Sequence, residues 1–285
     1  AVSFVMLLLL FVPALGKRVG GATRWLNLGF IAFQVGEWVK VSVVLFLAFF
    51  LARKKPYVKE IVRGILTPLV ITACLMGLII LQPDFGTTAI IAVTTMIMLY
   101  LAGARIAHLL GLAAMFAPFA VWALCRGYRW ERLMAFLNPW KDPHGSGFQI
   151  IQSMIAFGSG GPFGVGVGDG MQKLFYLPEP HTDFILSVIA EESGFVGVSV
   201  VILLYTVFIL RGFMVSFKAP DLFGMLLAAG LTILISMQVF INIAGVMGLI
   251  PLKGLTLPFL SYGGTSLMMS LAAVGVLLNI SSQET

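Results

Sequence analysis

Charged residues are scarce: they make up 11% of the 285 residues, against about 25% in soluble domains. Apolar types reach 59% and the mean hydropathy is +1.02. That balance excludes an ordinary soluble domain and predicts an all-α polytopic membrane protein. An alternating ten-residue pattern is missing, which excludes a transmembrane barrel. Two cysteines, Cys74 and Cys125, lie within or beside apolar runs and read as small apolar side chains, not as a disulfide framework. The three histidines, His108, His144 and His181, are too scattered for metal-ligand spacing. Without an internal repeat or low-complexity stretch, an inverted-repeat transporter has no support. The chain opens at Ala1 with neither Met nor a basic leader region. Residues 1–15 are expected to be the tail of a span whose beginning lies upstream, not a signal peptide.

What charge there is sums to +6. In a membrane protein this reflects cytoplasmic loops facing anionic headgroups, so membrane lipids are expected as partners and nucleic acid is not. Apolar runs mark eight spans, at roughly 1–15 (partial), 35–52, 63–82, 86–102, 105–124, 183–210, 221–247 and 262–280. Short loops on one side carry eight basic residues: Arg53, Lys54, Lys55, Lys59, Arg63, Arg105, Arg211 and Lys218. Those on the other carry four: Lys17, Arg18, Arg24 and Lys253. The positive-inside rule puts the richer side in the cytoplasm, so residues 16–33, 125–182 and 248–261 face outward. The expected organisation is a single transmembrane domain over 1–285, N-terminally truncated, with 125–182 as a large extracellular loop.

Polar groups concentrate between Leu174 and Gly197, LFYLPEPHTDFILSVIAEESGFVG. Pro178 and Pro180 bring an extended segment up to His181, Thr182 and Asp183, where a long apolar run begins. Proline is tolerated just before a helix, and Thr or Asp can cap the exposed amides. Glu191 and Glu192 follow about two turns in, at a depth where ionisable groups are costly and suspected of function. Two readings stand side by side: a cap with glutamates paired to other helices, or a site.

Other polar motifs gather on the same outer side. Arg24 and Trp25 lead into Glu37 and Lys40, which at i, i+3 share a helix face. They form either an aromatic anchor and a self-neutralised pair, or cations for a phosphorylated lipid, with Glu37 positioning Lys40. Asp84, in QPDFGT, either caps the next helix, holds a divalent cation or fixes an arginine. Arg126, Arg129 and Arg132, interleaved with Tyr128 and Trp130, suit headgroups or an anionic ligand. Gln149, Gln152 and Ser153 fall in an apolar-polar pattern expected to form a short helix lying at the surface. GSGGPFGVGVGDG, Gly158 to Gly170, is expected to be a mobile flap or a turn-rich connector, because no strand precedes it and no Lys-Ser/Thr follows. Gln172 and Lys173 come next. Gln238 and Asn242 at i, i+4 should face the bundle interior. Lys253 is the cation of the last outer loop, and Ser261 opens the small-residue run SYGGTS, whose default role is close helix packing.

Taken together, QPDFGT, RLMAFLNPWKDPHGSGFQIIQS, LPEPHTDF, AEESG and PFLSYGGTS resemble the motifs of the SEDS proteins (shape, elongation, division and sporulation). The resemblance runs along essentially the whole chain and is stronger to the division and sporulation branch than to the elongation branch. It implies ten spans, of which these eight are the third to tenth, and a large extracellular loop between the seventh and eighth. The implied activity is that of a peptidoglycan glycosyltransferase, which polymerises lipid II into β-1,4 glycan strands and releases undecaprenyl pyrophosphate. The family's essential aspartate corresponds to Asp183, its Arg-Trp pair to Arg24 and Trp25, and its Glu-Lys pair to Glu37 and Lys40. Implied partners are a class B penicillin-binding protein transpeptidase and other divisome proteins. The implied location is the bacterial cytoplasmic membrane, at the division septum, with the active face outward.

The chemistry is consistent with those residues. Converting an α-linked sugar diphosphate into a β-glycoside inverts one carbon, so a single displacement suffices. One base must take the acceptor 4-hydroxyl proton, and cations must stabilise the departing diphosphate. A second carboxylate acting as general acid is not needed, unlike in a glycosidase. Asp183 is the expected base; a helix N-terminus would lower its pKa and desolvation would raise it. Arg24, Lys40, Arg132, Lys173 and Lys253 are the candidate diphosphate ligands, alongside a divalent cation (Mg²⁺ or Mn²⁺), with no organic cofactor. Asp84, Gln149, Gln152, His181, Thr182 and Ser261 complete the expected substrate-binding set. A lipid II flippase, motivated by the intramembrane charges, and a non-catalytic divisome scaffold are the alternatives.

Overall fold

The computed structural model describes residues 1–19, 22–27, 29, 32–125, 127–172, 177 and 179–283. In chain order the elements are α1 (Val2–Leu9), β1 (Gly16–Val19), β2 (Ala22–Asn27), β3 (Ala32–Gln34), α2 (Val35–Arg53), α3 (Thr67–Leu81), α4 (Phe85–Leu101) and α5 (Ile106–Leu124). They continue with α6 (Tyr128–Leu137), α7 (Phe148–Gly160), α8 (Ile185–Lys218), α9 (Leu222–Val246) and α10 (Gly264–Ser281). Each of the eight expected spans contains a helix, although the first, at 1–15, is helical only over Val2–Leu9. Five stretches, Val35–Arg53, Ile61–Leu81, Ile185–Lys218, Leu222–Val246 and Gly264–Ser281, are long and apolar enough to cross a membrane; α4 and Ile106–Phe119 are shorter apolar helices. This is a multi-pass membrane protein. Residue contacts divide it into two compact units, 1–112 with 209–235 and 264–285, and 113–208 with 236–263.

In the first unit, the segment expected to be a loop at 16–33 contains strands. β1, β2 and β3 form an antiparallel sheet in that order, with Trp25 opposite Lys17 and Gln34. Ala22 and Leu26 on β2 are buried. The sheet runs straight into α2, and the Gln34 N–H donates to Thr265 Oγ1 on α10 at 3.3 Å. Val39, Val43, Leu47 and Leu51 bury one side of α2. Gly230 on α9 lets that helix come close: a Cβ there would stand 2.6 Å from Val44 and 2.8 Å from Met98.

In the second unit, α7 is not a helix lying at the surface. Ile150, Ile151, Ser153 and Ala156 are buried. Ser153 Oγ shares a hydrogen bond with Ser187 Oγ at 2.8 Å and donates to the Val246 carbonyl. Gly160 meets α8 so closely that a Cβ would lie 1.9 Å from the Ala190 carbonyl oxygen. The buried face is mainly apolar, and Ser153 is accommodated in it because a serine hydroxyl can serve buried hydrogen-bonding groups where a longer polar side chain would not fit, while Gln149 and Gln152 stay half-buried.

The glycine-rich stretch is likewise no loose flap. α8 breaks at Gly194, where φ is 63°. The amides of Val165 and Gly166 donate to the Glu191 and Glu192 carbonyls at 3.0 and 3.1 Å, and those of Phe195 and Val196 donate to the Gly161 and Pro162 carbonyls at 2.9 and 3.1 Å. The Glu191 carboxylate, buried, takes the Met171 N–H at 2.9 Å and the Gln172 N–H at 3.1 Å. Backbone groups released by the break are thus satisfied by the loop, and the loop's by the break. Gly164 and Gly194 permit this approach, since a Cβ on either would fall within 2.4 Å of the other strand's backbone. Glu191 is accordingly not a charge open to lipid, and among the described residues it makes no ion pair; it fastens a loop.

Glu37 and Lys40 pair as their spacing predicts, Lys40 Nζ to Glu37 Oε1 at 2.8 Å, with Lys40 only 1% exposed. Removing one member strands the other in apolar surroundings, at about 3–5 kcal/mol. Lys40→Met is expected to lower the melting temperature in detergent markedly, and the double variant Glu37→Gln/Lys40→Met to recover much of the loss. A double variant as unstable as the single one would show that the pair is not the relevant interaction.

Candidate active site

Asp183 lies two residues before α8 begins, and its position is fixed through the main chain. Three successive carbonyls, of His181, Thr182 and Asp183, each accept a hydrogen bond from a different group. The donors are the Tyr262 N–H at 2.8 Å, Ser261 Oγ, and Asn242 Nδ2 at 3.0 Å. Asn242 Nδ2 also donates to the Leu255 carbonyl at 2.6 Å. Ser261 Oγ in turn accepts the Leu257 N–H at 2.7 Å. From within α8, the Tyr205 hydroxyl donates to the Pro258 carbonyl. Phe259, at φ 68°, sets its ring edge-on to Phe208 with centroids 5.8 Å apart. The loop between α9 and α10 is therefore folded around the backbone of 181–183.

The Asp183 side chain faces a groove of about 60 Å³. Arg132 from α6, Gln149 from α7, Asn242 from α9, and Lys253 and Gly254 from the last loop line it together with Glu179. Gly254 makes room for the carboxylate: a Cβ would stand 2.7 Å from Asp183 Oδ2. Arg132 Nη1 donates to the Leu252 carbonyl at 3.1 Å, which holds the Lys253 loop in place. Glu179 sits at φ 56°, a conformation uncommon outside glycine, and accepts from Thr182 Oγ1. Chemically, the groove brings two carboxylates, Asp183 and Glu179, and two cations, Arg132 and Lys253, to one place.

A larger cavity, of about 650 Å³, shares Arg132, Gln149 and Leu252 with the groove. Its far wall is the turn at Asp142, whose Oδ2 accepts the Ser146 N–H at 2.8 Å and the Ser146 hydroxyl at 3.2 Å. These bonds, chiefly the Ser146 amide, hold the Asp142 pKa below its ordinary value. Desolvation lowers the pKa of Arg129 on α6, which stays protonated at neutral pH.

Of the expected site residues, Asp183, Arg132, Gln149 and Lys253 come together in the groove. His181 and Thr182 frame it through their carbonyls, Ser261 holds Thr182, and Gln152 is half-buried on α7. Lys173 lies outside the described residues. The remainder belong to the first unit. There Arg24 Nη2 donates to the Pro83 carbonyl at 2.7 Å, with Nε 3.9 Å from Asp84 Oδ2. Asp84 caps α4, its Oδ1 accepting the Thr87 N–H at 3.1 Å, so the cap and the arginine contact coexist. Trp25 is half-buried on β2. Asn242, Glu179 and Gly254 are the residues that reading the sequence did not put in the site. An amide in an apolar span was the one available signal, for Asn242.

Among the described residues no group of three or more His, Cys, Asp or Glu side chains could cage a metal ion. A divalent cation here would be held mostly by substrate oxygens and water, with Glu179 or Asp183 as a single protein ligand.

The family model for the cell cycle proteins FtsW, RodA and SpoVE matches residues 1–285. A probable peptidoglycan glycosyltransferase FtsW of Trichlorobacter lovleyi is 46% identical over 282 residues, covering 99% of this chain and 74% of the relative. Stage V sporulation protein E of Bacillus subtilis is 45% identical over 282 residues, covering 98% and 77%. Among solved structures, a chain from work on the structural coordination of polymerization and crosslinking by a peptidoglycan synthase complex superposes with a TM-score of 0.82 at 34% identity, covering 99% of this chain and 79% of that one. The rod shape determining protein RodA of Thermus thermophilus gives 0.71 at 30% identity, covering 99% and 76%.

Replacing Asn242 by Leu keeps the branching at Cγ and removes the donor to two carbonyls. The expected cost is about 2–4 kcal/mol, read as a lower melting temperature in detergent. An unchanged transition would mean that those carbonyls find other donors and that the loop does not depend on Asn242.

Proposed function

The chain belongs to the FtsW, RodA and SpoVE family of cell cycle proteins, and on that premise we propose that it is a peptidoglycan glycosyltransferase of division, polymerising lipid II on the outer face of the cytoplasmic membrane. The relatives named probable peptidoglycan glycosyltransferases support the reaction class. The observation that carries the residue assignment is Asp183, held through its own carbonyl and those of the two residues before it, in a groove with Arg132 and Lys253.

In this reading Asp183 accepts the proton of the acceptor sugar's 4-hydroxyl as that oxygen attacks the anomeric carbon of the donor from the face opposite the diphosphate. The new C–O bond forms as the bond from C1 to the diphosphate oxygen breaks, inverting the centre. The electron pair leaves with undecaprenyl diphosphate, whose developing charge Lys253 and Arg132 offset. Holding the base by its own backbone keeps the reacting atoms in register, which is where most of the acceleration would arise. Lys40 belongs to the first unit, where it is buried and paired with Glu37. Arg24, whose side chain is 33% exposed, is a cation of the first unit available to lipid phosphate, as are the exposed Lys17 and Arg18 near it in the chain. A divalent cation travelling with the diphosphate would add to the charge available for the leaving group.

The outward orientation follows from the excess of basic residues in the loops at 53–63, Arg105 and 211–218. A class B penicillin-binding protein is the proposed partner. The similar chain from a complex that couples polymerization to crosslinking supports it, and the division septum is the proposed place of action. Scaffolding then accompanies catalysis instead of replacing it.

Purified Asp183→Asn is expected to melt like the wild type and to lose more than about 100-fold of its polymer output from lipid II. Near-normal output, with no other polymerase present, would remove Asp183 from the mechanism. Lipid II translocation in liposomes, assayed in parallel, separates a transporter from a polymerase. Gly254→Ala, which crowds the carboxylate, should lower turnover by about tenfold or more while leaving the fold intact.

A further inference from the structure

Residues 161–171 lie within the large outer loop, yet the side chains they present are unsuited to water. Phe163 is 81% exposed and Val167 87%, with Val165 and Met171 also exposed. From Gly158 to Gly168 the stretch carries no charged residue. Much of its main chain is satisfied: the amides of Val165 and Gly166 are spent on the Glu191 and Glu192 carbonyls, those of Gly164 and Asp169 on the Gly160 and Gly166 carbonyls, and those of Met171 and Gln172 on the Glu191 carboxylate. Irregular backbone can enter an apolar medium only when its polar groups are satisfied in this way.

The apolar patch does not stop at the loop. Phe195, 74% exposed, and Val196 bond to the loop through their amides, and they begin the outward side of α8 that continues through Val200, Leu203 and Leu204. From Phe195 to Lys218 that helix is about 36 Å long, enough to cross about 30 Å of hydrocarbon. Arg211 and Lys218 mark one end of the crossing, so Phe195 and the loop bonded to it mark the other. A protein-binding surface would ordinarily show a polar rim and anchors such as Arg or Tyr. The tip from Pro162 to Gly168 offers only proline, glycine, valine and phenylalanine, and the one charge of the stretch, the exposed Asp169, stands at its edge.

We infer that residues 161–171 form a lipid-inserted wedge, with Phe163 and Val167 entering the headgroup-acyl boundary of the leaflet at the Gly194 end of α8. The depth expected of such an element is about 5–10 Å. The inference does not depend on which reaction the protein performs.

The test uses the full chain in vesicles of phosphatidylethanolamine and phosphatidylglycerol. Cysteines at single positions, Phe163→Cys and Val167→Cys, are introduced after Cys74→Ala and Cys125→Ala and labelled with a nitroxide. Leu203→Cys on α8 is the lipid-facing reference and Pro143→Cys, in an exposed turn, the aqueous one. All four side chains point away from the packed interior, so the label is not forced into the fold. Accessibility to oxygen relative to a water-soluble nickel chelate is expected to be several-fold higher at 163 and 167 than at 143, and close to that at 203. Values at 163 and 167 matching the aqueous reference would overturn the proposal. So would labels that are water-accessible in vesicles and become shielded only when a second protein is added.

Discussion

The second unit depends on one arrangement: three consecutive peptide carbonyls, at 181, 182 and 183, each engaged by a donor from far along the chain. Tyr262, Ser261 and Asn242 reach back some sixty to eighty residues to supply them. Each bond contributes only about 1 kcal/mol net, but leaving any of these carbonyls without a partner in a desolvated pocket costs more than that. The loop between α9 and α10 therefore has few alternatives to its observed path, and the groove beside Asp183 is the space that path leaves. Tyr205 and Arg132 reinforce it from two other helices through the carbonyls of Pro258 and Leu252.

The same economy of backbone groups recurs at the break in α8. A helix interrupted within a membrane protein exposes donors and acceptors that lipid cannot satisfy. Here Gly160, Gly164 and Gly194 allow two stretches of main chain to approach more closely than side chains would permit, and each serves the other. Glycine density that reads as looseness is in this setting a condition for close contact. The buried Glu37–Lys40 pair and the Asp84 cap follow the parallel rule for side chains, since each of these buried charges has a partner three residues away.

How legible all this was in the sequence follows from the range of the interactions. Apolar runs mark the spans because burial in lipid acts on every residue of a helix, so the segments stand out, although the first helix already ends at Leu9 and α8 runs on past 210 to Lys218. Glu37–Lys40 and the Asp84 cap were readable because their partners lie three residues away. The strands at 16–34 were not: at three to six residues each, punctuated by glycine, they are too short for an alternating pattern to stand out from a loop. Glu191 looked like a charge in hydrocarbon because its partners, the amides of 171 and 172, belong to backbone and carry no mark in the sequence. Ser153 looked solvated for the same reason. Gly254 is invisible until Asp183 is seen 2.7 Å from where a Cβ would be.

Anchoring the acid by peptide carbonyls separates two jobs that many sites combine in one side chain. What holds residue 183 in place is indifferent to what residue 183 is, so the scaffold tolerates exchange of the reactive group without being rebuilt. Inactive descendants that keep the architecture are then a short evolutionary step away, and a protein of this build can outlive its chemistry as a pure assembly platform.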